Sequence, residues 1–416
     1  MQRTAVAVIG AGAAGLLAAG RAAMCGAQVL LLEKMEKPTR KLRITGKGRC
    51  NITNSKTLND FAAEIHHADF VRPALGAFFN QQIVELLQAQ GVPTVVERGG
   101  RVFPASGRAA DVANALERWA RQQGAQIANG WEVQQLQKLP NGLFSVSGAA
   151  GQRLEAQAVV VATGGLSYPL TGSTGDGLRM AKHLGHNIIP PLPTLVGLRV
   201  QRPFDRASGL TLKNALATLC ADGQAVAQQM GEVMFTRHGI EGAAILRLSR
   251  QAVQLLHKRQ RVEVLIDLKP ALSPEKMFNR MVRELEQQPT LDAQGLLRKL
   301  MPAPMLPHVL GLCRLPSHRP AQSLTDEELS EITDTLKALT FSIIDHGPWA
   351  EAIATAGGVS TTDIDPHTMQ SRRVPGLHFA GEVIDIDANT GGYNLQMAFS
   401  TGWLAGQNAA RYAMGL

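Results

Sequence analysis

Cysteine is scarce in this chain of 416 residues: Cys25, Cys50, Cys220 and Cys313 are far apart and form no C-x-x-C pair. That spacing argues against a disulfide framework, a thiolate metal site and a thioredoxin-like relay, so no metal is expected. Aromatic residues make up only 5% of the chain, too few for a long base-stacking platform. No run approaches the roughly 20 apolar residues that span a bilayer. Met1-Gln2-Arg3 leads directly into an apolar strand pattern with no secretory leader. The expectation is a soluble, cytoplasmic protein without a membrane partner. With 45% hydrophobic and 18% charged residues, a chain of this length can bury a sizeable core in two or three domains.

Glycine, in contrast, is concentrated in motifs. Gly10-Ala11-Gly12-Ala13-Ala14-Gly15 follows the β-branched run Ala5 to Ile9 and opens the Ala/Leu-rich, proline-free segment Ala13 to Met24. These read as a buried strand and a helix, which puts the glycines at a strand-to-helix turn. There Gly10 permits the tight turn, Gly12 lets a pyrophosphate approach the backbone, and Gly15 lets the helix pack on the strand, with free N–H groups facing the phosphates. A second strand, Gln28 to Leu32, ends in Glu33, about 20 residues beyond the glycines, where a carboxylate accepts ribose hydroxyls. The bland alternative is an ordinary βα turn. Together with Gly46-Lys47-Gly48-Arg49-Cys50-Asn51, the motif points to a bound dinucleotide, FAD.

The net charge is +8 and the pI about 9.5. Lys34, Lys37, Arg40, Lys41, Arg43, Lys47 and Arg49 lie together with only Glu36 opposing them, and a second group comprises Arg247, Arg250, Lys258, Arg259 and Arg261. Such clusters suit a polyanion; the alternative is a solvated face that partly neutralises the cofactor's own phosphates.

Along the chain, Phe70 to Gly91 reads as one helix, Thr94 to Phe103 as a strand pair around Arg98-Gly99-Gly100, and Asp111 to Gln123 as an amphipathic helix. Phe144 to Val146 is a strand of a small meander. Ala156 to Ala162 is a central strand that delivers the turn Thr163-Gly164-Gly165 to the ligand. After Pro190-Pro191-Leu192-Pro193, short strands at Leu195 to Val200, Ala215 to Ala221 and Val262 to Leu268 signal a β-rich second domain. Helical spacing follows from Ser273 to about Leu315 and from Asp326 to Leu336. Thr340 to Ile344 then returns the chain. Finally, Leu377 to Ala380 is a strand leading through Gly381-Glu382 and Val383 to Asp387 into Thr390-Gly391-Gly392-Tyr393-Asn394 and the helix Leu395 to Arg411. That second helix N-terminus is expected to aim backbone N–H groups at the flavin pyrimidine, where negative charge develops on reduction. The alternative is a second, purely structural βα unit.

As a set these motifs resemble the BaiN/RdsA-like (YhiN-like) family of flavoproteins over nearly the whole chain. The resemblance rests on Gly10 to Gly15, Arg40-Lys41-Leu42, Gly46 to Asn54 as GKGRCNITN, Ala162 to Gly165, Gly231 to Thr236, Gly357-Gly358-Val359, Thr368-Met369, and Phe379 to Gly402 as FAGEVIDIDANTGGYNLQMAFSTG. Lys47 stands where many members have glycine or asparagine, and Glu241-Gly242 where many have Ser-Gly. The resemblance implies an α/β fold: a Rossmann-like FAD-binding domain discontinuous in sequence, an inserted β-barrel-like domain and a small helical subdomain. Their expected extents are residues 1–190 with 345–416, 191–272 with 325–344, and 273–324.

The resemblance also implies a nicotinamide-dependent reductase, with NAD(P)H as a transient reductant. Two substrates are implied: a uridine of 23S ribosomal RNA, or a small conjugated enone of the bile-acid kind. A flavin-containing binding or assembly factor without turnover is the reading from another class. The basic clusters favour the RNA. Cofactor contacts are expected at Gly10, Gly12, Ala13, Ala14, Gly15, Glu33, Lys34, Lys41, Gly48, Arg49, Cys50, Asn51, Thr163, Gly164, Gly165, Gly381, Glu382, Gly392, Tyr393 and Asn394. Protonation of the second carbon needs an acid; Cys50, His238 and Tyr393 are the candidates, each with a packing role as its alternative.

Overall fold

The computed structural model describes residues 2–416, which divide into two compact units: residues up to Pro193 with Ile353–Leu416, and Thr194–Ala352. In the first unit, β1 (Gln2–Ile9) pairs in parallel with β2 (Val29–Glu33) and β9 (Arg153–Val161). β2 pairs with β6 (Gln126–Asn129), and β18 (Leu377–Phe379) joins the far end of β9. The near end of β9 instead carries the antiparallel meander β7 (Val133–Lys138) and β8 (Phe144–Gly148). Its apolar run Ala158 to Val161 is buried on both faces, as a central parallel strand requires.

Small elements surround this sheet. β3 (Thr53–Asn54), β5 (Arg101–Pro104) and β4 (Thr94–Glu97) form an antiparallel sheet in that order. β10 (Ile188–Thr194) pairs with β17 (Ala354–Val359). The proline run expected to mark a boundary is therefore itself strand, at an edge where missing donors are tolerated. The first helix, Ala13–Met24, crosses the C-terminal helix Tyr393–Met414 at contact distance. A Cβ at Gly402 would lie 2.3 Å from the Ala14 carbonyl oxygen, and one at Gly406 2.2 Å from that of Ala18.

Phe70 to Gly91 is two helices, Ala68–Ala77 and Asn80–Ala89. The break frees the Phe78 carbonyl to accept from Ser400 Oγ (2.5 Å) and lets the Phe78 ring stack on Trp403 at 4.5 Å. A tertiary partner thus outcompetes one helical hydrogen bond.

The second unit contains a closed antiparallel barrel, ordered β11 (Leu198–Val200), β14 (Gly239–Glu241), β13 (Gln224–Phe235), β12 (Thr211–Ala221), β15 (Val262–Asp267) and β16 (Leu339–His346). Closure leaves no edge strand among these six. Helices Pro274–Gln287 and Asp326–Lys337 lie between β15 and β16, and their Met277, Met281, Leu329 and Ile332 share one apolar core with the barrel. Several elements escaped the sequence reading, among them the helix Asp176–His183 and the strand β13; the longest of the missed helices is Ala243–His257, and Ala244, Ile245, Leu248, Ala252 and Val253 lie on its buried stripe.

Candidate functional site

Three glycines at the end of β1 differ in what demands them. Gly10 has φ +99° and a Cβ there would sit 2.7 Å from the Ala162 carbonyl oxygen; a Cβ at Gly15 would sit 1.8 Å from that of Gly10. Both are required by packing. At Gly12 nothing lies within 4 Å, and the helix it caps has neither a side-chain cap nor an acid in its first turn. The opening beside uncapped N–H groups is a cradle that would fit a pyrophosphate.

Glu33 sits where a ribose-binding acid belongs, and its position has a local cause. Oε2 accepts from Ala11 N (2.8 Å) and Oε1 from Met35 N (2.9 Å), tying the glycine turn to the end of β2. Each oxygen keeps a second lone pair for a hydroxyl. Lys34 is engaged by the protein: Nζ donates to Thr174 Oγ1 and Asp176 Oδ2, both at 2.6 Å.

Glu382 gathers the second half of the site. Its carboxylate accepts from Lys41 Nζ (2.5 Å), Thr355 N (2.7 Å), Ser167 Oγ (3.3 Å) and Gly165 N (3.4 Å). It thereby fastens the Thr163-Gly164-Gly165 turn to the chain after β18. One residue earlier, Gly381 has φ +74°, and a Cβ there would be 2.8 Å from Ala14 Cβ. The strap Gly381–Asn394 therefore starts against the phosphate cradle, around Ala13 and Ala14.

The strap ends against GKGRCNITN. With its amide turned to satisfy both neighbours, Asn51 accepts from Gly392 N at 3.0 Å and donates to Thr53 O at 3.2 Å, and a Cβ at Gly392 would be 2.4 Å from Thr53 O. Asn54 Nδ2 donates to both Gly99 O (3.0 Å) and Gly391 O (3.1 Å). Asn394 closes the turn by pairing with both backbone groups of Ala388. Two motifs read separately in the sequence thus form one clasp. Gly48 and Arg49 are exposed, and the Arg49 guanidinium pairs with Glu97 at 2.5 Å.

The candidate acids are placed differently. Cys50 is fully buried in the core of the first unit. Burial pushes its thiol up to about 12, the Thr45 hydroxyl only partly offsetting this. Protein alone seals that side chain, a setting that suits packing beside the clasp better than contact with a substrate. The Tyr393 ring is 2% exposed, edge-on to Phe61 at 4.7 Å. His238 is exposed in the β13–β14 turn of the second unit, its N–H donating to Thr236 Oγ1.

The sequence reading missed a fourth group. Half-exposed His67, in left-handed backbone at φ +63°, places Nε2 3.5 Å from the buried Asp385 carboxylate in the middle of the strap. Beside it His66 N donates to Asp387 O (2.8 Å) and Asn389 Nδ2 to Glu64 (2.9 Å). An accessible imidazole held by a buried carboxylate can relay a proton. The available signal was the alternation of acids with apolar residues in Val383 to Asp387.

Cradle, ribose acid and strap define the chain as a FAD-dependent oxidoreductase of the dinucleotide-fold class. It belongs to the family of HI0933-like proteins, whose Rossmann domain it matches over residues 4–408. It is 33% identical, over 97% of this chain and 98% of the relative, to the 3-dehydro-bile acid delta(4,6)-reductase of Clostridium scindens. It is 29% identical, over 97% and 98%, to the ribosomal RNA dihydrouridine synthase of Haemophilus influenzae. Among solved structures, 3-ketosteroid delta1-dehydrogenase of Sterolibacterium denitrificans shares the fold, with TM-score 0.55 at 15% identity over 99% of this chain and all of that one. No helix among the described residues is long and apolar enough to cross a membrane.

Proposed function

We propose that this protein is an NAD(P)H-using reductase of an activated C=C bond, and that its substrate is a uridine of 23S ribosomal RNA, reduced to dihydrouridine. Both named relatives are named for enzymes that act on such double bonds, which supports the chemistry over a non-catalytic binding role. The observation that carries the choice of RNA is the exposed cationic loop Lys47–Arg49, which runs directly into the clasp around Gly391 and Gly392.

When bound, reduced FAD would supply two electrons as a hydride, with NAD(P)H as their source. On uracil the hydride would go to C6 and a proton to C5, so that the C5=C6 bond would be reduced as NAD(P)H is oxidised. The chain's part is to orient and to stabilise. Gly12 and the first helix hold phosphate, Glu33 the ribose, and the N-terminus of the C-terminal helix offers N–H groups to growing negative charge. His67, held by Asp385, delivers the proton.

The test compares dihydrouridine in 23S RNA from a host with and without the gene, then adds purified protein, FAD and NADPH to the deficient RNA. Loss on deletion with recovery in vitro supports the reading; unchanged dihydrouridine overturns it. A conjugated small-molecule enone is the second reading, favoured by the 33% identity to the bile-acid reductase.

A further inference from the structure

Two short segments, some fifty positions apart in sequence, converge on one ring. The Arg49 guanidinium lies 4.4 Å above the Phe103 ring and that of Arg101 5.7 Å from it, while a Cβ at Gly46 would lie 3.7 Å from Phe103 Cε1. The loop Gly46-Lys47-Gly48-Arg49 and the turn Arg98-Gly99-Gly100-Arg101 therefore flank the same side chain. We propose that they form a single phosphate-gripping surface that holds single-stranded RNA beside the flavin strap. This rests on the uridine reading and names the surface that reading needs.

The charge is one-sided. Lys47, Arg49, Arg98 and Arg101 are all exposed, and the two segments contain no acid. The adjoining Glu97 lies 2.5 Å from Arg49 and 3.8 Å from Arg101, and Arg49 above all holds its carboxyl below the usual range. One carboxylate fixes the guanidinium groups without cancelling four cations, and planar guanidinium forks suit phosphate oxygens. The intervening glycines leave room: Cβ atoms at Gly48 and Gly99 would meet nothing within 4 Å.

Position adds the second argument. Asn54 Nδ2 joins Gly99 O to Gly391 O, so the cationic turn is one side chain away from the motif that opens the C-terminal helix. A strand of phosphates gripped at Arg98 and Arg101 passes that motif, within reach of a base unstacked toward the flavin. β4 adds apolar surface for a base or ribose with the exposed Val95 and Val96.

The triple variant Lys47→Gly, Arg98→Ser, Arg101→Ser tests this in the full-length, FAD-loaded protein. Lys47 has φ +57°, so glycine relieves the backbone there. The probe is a fluorescent oligouridylate of roughly 16 nucleotides, followed by anisotropy across a salt series. Affinity at about 0.1 M salt should fall about tenfold or more, and the slope of log K against log salt should become shallower by about 2. Unchanged FAD absorbance and melting temperature verify the fold. Equal affinity and slope in variant and parent would overturn the surface, as would a parent that binds phosphatidylglycerol vesicles but not RNA. The two ideas separate cleanly. Dihydrouridine formed by the variant at the parental rate overturns the surface and spares the uridine reading. RNA binding lost in the variant, with no dihydrouridine formed by the parent, supports the surface and overturns that reading.

Discussion

The Lys41 ammonium lies 2.5 Å from a Glu382 carboxylate oxygen across 341 positions of sequence, and the same carboxylate accepts Thr355 N. Glu382→Gln would turn an amide N–H₂ toward one of these donors and leave Lys41 without its counter-charge. The expected cost is about 2 kcal/mol in urea unfolding, with reduced FAD retention. Adding Lys41→Met should recover part of the stability and none of the FAD. Unaltered stability in the single variant would count against Glu382 as the junction.

Glycines of one motif should separate by function. Gly12→Ala should leave stability within about 1 kcal/mol of the parent, because its Cβ points into open space, yet weaken FAD binding about tenfold or more. Gly15→Ala should cost about 3 kcal/mol or more, because its Cβ would overlap the Gly10 carbonyl oxygen. Flavin absorbance after gel filtration, read beside a melting curve, distinguishes the two. A Gly12→Ala protein with full FAD would contradict the cradle.

His378 in β18 is fully buried. Burial pushes its pKa down to about 4, only partly countered by the backbone of Gly376 and Val159. As pH falls below the ordinary value of 6.5 the unfolded chain takes up a proton that the folded protein refuses until about 4. Stability should therefore decline between these values, by about 3 kcal/mol from this group. His378→Phe should flatten that decline. Equal pH slopes for parent and variant would refute it.

Cys50 should be chemically silent. Because burial raises its thiol to about 12, the native protein at pH 8 should leave it unlabelled by a thiol reagent until unfolded, while the partly exposed Cys25 reacts first. Peptide mapping of the labelled protein reads this directly.

His67→Gln should slow turnover about a hundredfold while leaving FAD content unchanged, in keeping with loss of a proton donor. Asp385→Asn, which leaves the imidazole in place without its anchoring carboxylate, should slow it less. If His67→Gln turns over at the parental rate, the proton comes from elsewhere.

The strand-turn-helix around Gly10 was legible in the sequence because its cause is local: β-branched strand residues, alanine in the helix, and glycine where backbone meets backbone. Glu33, the central strand β9 and the C-terminal strand and helix were legible for the same reason. The helix over 70–91 was not read correctly. Its break depends on the Phe78 carbonyl accepting from Ser400 Oγ and Gln396 Nε2 of the C-terminal helix, and no spacing within the segment encodes that.

Motif order and residue type thus settled the cofactor class and the sheet that holds it, since glycine sterics and strand burial act over a few neighbouring residues. Which motif touches which was settled in three dimensions. Asn54 bridging Gly99 to Gly391, Glu382 receiving Lys41, His67 reaching Asp385 and the sealing of Cys50 all join segments that only the closed chain brings within hydrogen-bond or packing distance. Such contacts depend on angle and on separations of a few ångströms, and a one-dimensional pattern contains neither.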